Sequence, residues 1–260
     1  MKSTWYGDRI RKDFGQCLLE ASGYGKHSLW DVFSDFLELA YTANAQAVET
    51  LRTGQQNAGL ESRYMTAVSR YEKTVKRMGD ALGLLVLALE EKRYDFLGTF
   101  AGESGLLDGS WKGQFFTPPE LCHVMVSMTM GSLKPDPSHR ITIQEPACGA
   151  GAMAIAACVQ LQQQGFYPWN YWIDCQDVDY RMFQACYIQL TLCGFPGVVR
   201  CGNTLTLEQR EARVTLAGAM HPLRDSQRTR EVSPHPNATV TLSTDPPPKP
   251  EKRRRINPYV

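Results

Sequence analysis

The first hundred residues carry apolar positions at the three- and four-residue spacing of amphipathic helices. Ser28 and Asp31 are suited to cap one such helix, and its apolar face comprises Trp30, Phe33, Phe36, Leu37 and Ala40. A second helical stretch covers residues 63–91, with Gly79 and Gly83 as candidate interruptions. We interpret the aromatic residues of both stretches as core, and not as platforms for stacking bases.

Further along the chain, the pattern alternates between short strands and helices. Ile141 and Ile143 alternate with polar residues, which predicts a strand, and residues 153–164 are typical of a helix. Residues 171–179 predict a second strand that ends in carboxylates, and residues 180–193 a second helix. This alternation is typical of an α/β fold.

The turn between the first strand and its helix is rich in glycine. Glu145 and Pro146 end the strand, and Gly149 and Gly151 follow before the helix begins. Glycine suits such a turn because a Cβ there blocks the approach of a ligand to the backbone. A strand, a glycine-rich turn and a helix N-terminus together favour a nucleotide-like ligand, although many α/β turns contain two glycines for steric reasons alone.

Two carboxylates follow the second strand. Asp177 lies about 26 residues after Gly151, near the offset of about 20 at which an acidic residue meets a ribose in dinucleotide-binding folds. A carboxylate accepts two hydrogen bonds from a vicinal diol. Asp177 or Asp179 is equally suited to cap the following helix. The sequence leaves open which of the two binds and which caps.

A capping pattern lies upstream of the first strand. Thr117 is a candidate N-cap, Pro118 suits the first helical position, and Glu120 suits the third. The pattern predicts a helix over residues 118–130.

Composition limits the class of protein. The chain has 260 residues, of which 43% are hydrophobic, and a net charge of +1, which fits a sizeable core. Its longest apolar stretch, residues 81–89, is too short to span a bilayer, and no signal peptide is recognisable. The eight cysteines are read as reduced core thiols of a cytoplasmic protein. The scattered histidines predict no metal site.

Three regions follow from these patterns. Residues 1–105 are predicted to be a helical region, and residues 106–215 a cofactor-binding half-domain. Residues 216–260 form a Pro-rich basic tail, whose composition is typical of disorder. The basic cluster at residues 252–255 is suited to touch phosphates, but such clusters are also common on solvated tails.

The segments 113–118, 145–151 and 176–179, in this order, resemble the adenine-N6 DNA methyltransferases. The similarity is greatest to the modification subunits of type I restriction systems and their mobile-element relatives. The resemblance implies a partial Rossmann-like, S-adenosylmethionine-dependent methyltransferase sheet that acts on DNA. It also implies that the cofactor site is lined by Phe116, Thr117, Pro118, Glu145, Ala147, Gly149, Gly151, Asp177 and Asn203.

The same resemblance leaves the catalytic motif incomplete. The family signature is Asn or Asp followed by two prolines and an aromatic residue, placed directly after a strand. Weak candidates here are Asp245, Pro246 and Pro247, where a proline replaces the aromatic residue, and the segment 257–259. The expectation is that the chain ends before or at this motif.

Three functions are compatible with these features. The first is an adenine-specific DNA methyltransferase whose activity is weak, lost or dependent on a partner. The second is a non-catalytic regulatory or anti-restriction protein built on the same scaffold, and the third is a methyltransferase of RNA or small molecules. Because later strands of the sheet are missing, the first strand should have an open edge. We therefore expect another segment to pair with that edge. The candidates are residues 238–243, a second copy of the chain, and a completing or specificity subunit.

Overall fold

A computed structural model describes residues 4–71, 73–106, 117–136 and 140–220 of the chain. Its N-terminal part is helical, as predicted, and contains α1 (Thr4–Ala21), α2 (Leu29–Thr53), α3 (Ala58–Tyr71), α4 (Val75–Glu91) and α5 (Phe96–Glu103). The α/β part contains α6 (Pro119–Met130), β1 (Ile141–Glu145), α7 (Ala152–Gln163), β2 (Tyr171–Asp177), α8 (Tyr180–Leu192), β3 (Gly197–Asn203), β4 (Glu208–Val214) and α9 (Leu216–Met220).

Helix α2 confirms the capping pattern read from the sequence. The Ser28 side chain accepts a hydrogen bond from the backbone N–H of Asp31, which satisfies one of the free donors of the first turn. Phe33 and Phe36 are buried in the core, where Phe14 packs edge-on against Phe36. The aromatic stripe of this helix is therefore core.

The expected interruption of the second helical stretch is wrong in position. Gly79 and Gly83 both lie inside α4, and the chain breaks earlier, between α3 and α4. Thr74 occupies that break, where its hydroxyl donates to the carbonyl of Ala21. Tertiary contacts therefore place the break, while the two glycines are tolerated inside the helix at a modest propensity cost.

The sheet has the strand order β1-β2-β3-β4. The first three strands are parallel, and β4 returns antiparallel to β3. The sequence did not predict β4, because the mixed polar segment Glu208–Val214 has no clear alternation of apolar and polar residues. The described residues include α9 (Leu216–Met220), a helix at the start of the segment predicted as the tail. Residues 221–260 lie outside the described residues.

Strand β1 lies at one edge of the sheet. Among the described residues it pairs with β2 alone, and it alternates between half-buried Ile141 and Ile143 and exposed Thr142 and Gln144. Such an edge presents a row of backbone groups to any chain that pairs with it. The part of the chain that the structure describes therefore has the open edge that the sequence predicted.

A polar network holds the helical region against the sheet. Arg63 of α3 pairs with Glu38 of α2 and with Glu211 of β4. Glu211 also accepts hydrogen bonds from the hydroxyls of Tyr41 and Tyr180. This network fixes the start of α8, and with it the end of β2. No helix in the described part of the chain is long and apolar enough to cross a membrane.

Candidate cofactor site

The predicted site residues lie where the parallel strands end. Glu145 ends β1, Asp177 ends β2 and Asn203 ends β3. Because the three strands are parallel, these ends lie at the same edge of the sheet. Ligands of open α/β sheets bind outside this carboxyl edge, so the topology brings these predicted residues to one place.

The two glycines of the turn have different structural roles. Gly149 has a φ of +53° and no atom within 4 Å of the position of an added Cβ. Gly151 has a φ of +104°, and an added Cβ would lie 3.1 Å from the sulfur of Cys186. Gly149 therefore opens the backbone towards free space, as a ligand cradle requires. Gly151 instead allows α8 to pack closely against the turn.

Asp177 supports the glycine-rich turn directly. Its carboxylate accepts hydrogen bonds from the backbone N–H groups of Gly149 and Asp179, both at 2.8 Å. Asp177 is only 9% exposed, and this burial raises the pKa of its carboxyl. The backbone N–H donors act in the opposite direction but do not cancel the effect of burial. A second bond, from the N–H of Cys148 to the carbonyl of Gln176, also ties the turn to β2.

The geometry separates the two carboxylates that the sequence could not separate. Asp179 is the N-cap of α8, and its side chain accepts from the N–H groups of Arg181 and Met182. It also pairs with the guanidinium of Arg181 at 3.2 Å. Asp179 is therefore occupied by the helix start, while Asp177 is the carboxylate that contacts the turn.

Asn203 is turned partly towards its own loop. Its side-chain oxygen accepts from the N–H groups of Leu205 and Thr206. The neighbouring Thr204 hydroxyl donates to the carbonyl of Pro146 at 2.7 Å, which joins the end of β3 to the glycine-rich turn. The NH₂ group of Asn203 is then the part suited to meet a purine acceptor.

The upstream helix begins one residue later than the sequence predicted. Pro118, and not Thr117, is the N-cap of α6, and Pro119 is its first residue. The capping box is therefore wrong, and no side-chain hydrogen bond caps this helix. A proline without an N–H suits the first helical position, and the Pro-Pro pair offers two candidates for it. Phe116 lies outside the described residues.

Helix α6 nevertheless reaches the site. Cys122 and Val126 of α6 pack against Ala156 and Ala157 of α7. A small cleft lies at the N-terminal ends of these two helices, lined by Pro119, Cys122, Ala152, Ile155, Ala156 and Asp95, among others. The packing therefore brings the start of α6 to the start of the helix that follows the glycine-rich turn. Glu145 is half-buried nearby, and Ala147 is exposed in the turn.

Sequence reasoning missed a buried link between the helical region and the turn. The amide of Gln189 donates to the carboxylate of Asp95 at 2.9 Å and to the carbonyl of Ala150 at 2.8 Å. Its oxygen accepts from the N–H of Leu97. The only sequence signal is a glutamine among the apolar residues of a predicted helix, where a buried polar group requires a partner.

Two cavities in the described part of the chain lie away from this edge. One, of about 470 Å³, lies between α1 and α5, and another, of about 430 Å³, lies among α2, α3 and α4. Neither is lined by a predicted site residue. The catalytic candidates Asp245, Pro246 and Pro247 lie outside the described residues, as does the segment 257–259.

A strand, a glycine-rich turn, a helix and a carboxylate at the end of the next parallel strand define a nucleotide-binding type of α/β site. The model of the N-6 DNA Methylase family matches residues 94–221. The resemblance predicted from the sequence is therefore confirmed over these residues, which have a methyltransferase scaffold of the N-6 DNA methylase family.

Two solved structures are similar to the chain. A protein described as a class I S-adenosylmethionine-dependent methyltransferase from Listeria monocytogenes is 14% identical, with a TM-score of 0.42 over 76% of this chain. The type I restriction-modification system methyltransferase subunit from Streptococcus thermophilus is 12% identical, with a TM-score of 0.35 over 79% of this chain. The chain covers 55% of each of them. No curated protein matches the sequence.

Proposed function

We propose that the chain binds S-adenosylmethionine at the carboxyl edge of its parallel strands, as a protein of the adenine-N6 DNA methyltransferase family. The contact between Gly149 and Asp177 carries this proposal. It joins the turn glycine that faces open space to the carboxylate that ends β2 and is not used as a helix cap. The family match over residues 94–221 supports the same assignment.

The donor set of this edge suits the cofactor. Each oxygen of Asp177 accepts one backbone N–H, and because a carboxylate oxygen has two lone pairs, each retains capacity for a ribose hydroxyl. The open backbone at Gly149 and Ala147 suits the amino-acid end of the ligand, and the amide of Asn203 suits its adenine. Bound S-adenosylmethionine supplies an electrophilic methyl group.

The acceptor that we propose is adenine in DNA, and the reaction is methyl transfer to its exocyclic nitrogen. Such a base must leave the duplex and stack on an aromatic side chain before it reacts. Phe116, Thr117 and Pro118 belong to the motif that approaches the cofactor in this family, while Asp245, Pro246 and Pro247 stay predictions for the catalytic motif. We propose that activity is weak, lost or dependent on a partner.

The surface beside β1 favours a second candidate function, a non-catalytic interaction module. Helix α6, whose buried face packs against α7 and Ile143 of β1, exposes four large apolar residues, namely Leu121, Val124, Met125 and Met128. Exposed apolar groups and an unpaired strand edge are both features of contact surfaces. This surface would be covered by a completing subunit, a specificity subunit or a second copy of the chain. A completing subunit would also supply further strands of the sheet.

Calorimetric titration of the purified chain with S-adenosylmethionine tests the cofactor assignment. We expect one site, and we expect Gly149→Val to abolish it, because the valine side chain would fill the space that Gly149 leaves open. Circular dichroism controls for folding of the variant. No binding by the folded wild-type chain would overturn the proposal.

Incorporation of labelled methyl groups separates the two candidate functions. Transfer to DNA, alone or after a partner is added, favours the methyltransferase. Cofactor binding without transfer under any of these conditions favours the interaction module. Transfer to RNA but not to DNA would redirect the assignment to an RNA methyltransferase.

A further inference from the structure

Three cysteines from separate elements meet beneath the glycine-rich turn. Cys148 belongs to the turn itself, Cys175 to β2 and Cys186 to α8. Their sulfur atoms all lie within 4.8 Å of one another, and all three residues are buried. The sequence analysis did not predict this group, because its members have no common spacing. All three are free thiols.

The size of this group matches a three-coordinate metal site. Thiolate sulfurs at about 2.3 Å from a central ion in a plane lie about 4 Å apart. Closing three sulfurs from within 4.8 Å to that distance requires only small side-chain movements. Within the described part of the chain, the group contains no histidine or carboxylate as a fourth ligand.

The surroundings of the cluster favour a cation. Metal ions bind the thiolate form of cysteine, and the three sulfur atoms lie close enough together to share one ion. The N-terminus of α7 follows Cys148 by a few residues, and its dipole favours negative charge there.

We propose that Cys148, Cys175 and Cys186 form a trigonal thiolate site for one soft cation, and that Cu⁺ is the ion that the site fits best. Thiolates select soft ions such as Cu⁺. Zn²⁺ in structural sites takes four ligands, and this buried group supplies three. Binding replaces the thiol protons with the metal ion and involves no change of oxidation state.

The ion has a short path to the site. Cys148 lies in the turn between exposed Ala147 and half-buried Gly149, so its neighbours in the chain are in contact with solvent. Because thiol protons are released on binding, the affinity for Cu⁺ should rise with pH.

Competition with a coloured Cu⁺ chelator, under reducing and oxygen-free conditions, tests the site. We expect the wild-type chain to remove one Cu⁺ from the chelator. Cys175→Ser and Cys186→Ser should each weaken the transfer at least tenfold, because two sulfurs then remain. The matched control is Cys201→Ser, which removes a buried cysteine from the neighbouring strand β3 but none from the cluster. It should bind Cu⁺ as the wild type does.

X-ray absorption of the Cu⁺-loaded wild-type chain does not depend on the folding of any variant. Three sulfur neighbours at one short distance support the proposal. A failure to take Cu⁺ from the chelator overturns it. So does a two-sulfur spectrum, or equal losses in Cys201→Ser and the cluster variants.

Discussion

At the scale of single residues, two carboxylates at the site have different roles. Asp177 contacts the N–H of Gly149, whereas Asp179 caps α8. The sequence identified both as acidic residues after a strand but could not separate their roles. The separation depends on where β2 ends and α8 begins, and a shift of two residues would place one carboxylate where the other lies.

Substitution of these two residues should therefore have different effects on cofactor binding. Asp177→Asn keeps an oxygen for the N–H of Gly149 but loses the charged acceptor, so we expect S-adenosylmethionine binding to weaken by about 1–3 kcal/mol. Asp179→Asn should leave that affinity unchanged. Calorimetric titration of both variants checks this prediction, with thermal melting as the control for folding. Equal affinities in the two variants would contradict the assignment of Asp177.

The two glycines of the turn show that a sequence motif does not define the role of each of its residues. Both glycines were predicted to serve the ligand, but only Gly149 faces open space, while Gly151 faces the sulfur of Cys186. The contact with Cys186 joins positions 35 residues apart, which no local pattern encodes. The cluster of three cysteines was not predicted for the same reason. The sequence predicted that the cysteines are buried, but not that these three lie together.

At the scale of elements, α8 connects the helical region to the turn. The first clear test is Gln189→Leu, which removes the amide that bridges Asp95, Leu97 and Ala150. Leaving buried polar groups without partners costs about 1–3 kcal/mol for each group, so we expect a clear loss of stability in urea unfolding.

Hydrogen exchange should locate the effect of Gln189→Leu. We expect faster exchange in residues 147–151 and in the start of α5. Gln184→Leu is the matched control, because Gln184 lies on the same helix, is also buried, and contacts Glu38 instead of the turn. Unchanged exchange in residues 147–151 of Gln189→Leu would show that the turn is held by β2 alone.

The network around β4 gives the fold a defined response to acid. Burial alone would raise the pKa of Glu211, but the hydrogen bond from Tyr41 and the charges of Arg213 and Arg63 lower it below 4.5. Stability from this group is therefore complete above pH 4.5 and is lost as the pH falls through the lowered pKa. The raised pKa of Asp177 acts in the opposite direction, with stability lost as the pH rises above 3.8.

The variant Glu211→Gln measures how much the Glu211 carboxylate contributes to the free energy of unfolding. At neutral pH we expect it to be less stable than the wild type by about 1–3 kcal/mol, since two arginines lose a charged partner. The difference should shrink as both proteins are acidified. Urea unfolding of both chains at neutral and acid pH measures it, and a difference that does not vary with pH would exclude Glu211 as the titrating group.

Elements differ in how far the sequence predicts them. The strand at Ile141–Glu145 and the helix at Leu29–Thr53 follow from local periodicity and capping, and both were predicted. Strand β4 was missed, because its polar residues are stabilised by partners in α2, α3 and β3 that are distant in sequence. The break after α3 was misplaced for the same reason.

At the scale of the whole molecule, the open edge of β1 predicts assembly. In light scattering we expect a species heavier than the 29.2 kDa chain, because α6 exposes large apolar residues and β1 has one unpaired side among the described residues. The double substitution Val124→Lys and Met128→Lys should reduce the mass. Leu51→Lys is the control, since this exposed leucine lies on α2, outside that surface.

Other covers for the edge give different results. A chain shortened after residue 220 should assemble more strongly if residues 238–243 cover β1 in the intact protein. A heterologous subunit should bind the intact chain and fail to bind the double variant. A monomer whose β1 amides exchange freely, with no partner found, would rule out assembly through this edge.

The strand order has one further consequence, for how a ligand crevice is enclosed. In doubly wound sheets the crevice opens where the strand order reverses, between two strands whose loops diverge. In the described part of this chain the order runs from β1 to β4 without a reversal, so these residues build one wall of the crevice. The chain or segment that pairs with the free side of β1 then builds the other wall. Its docking at that edge would at the same time enclose the substrate.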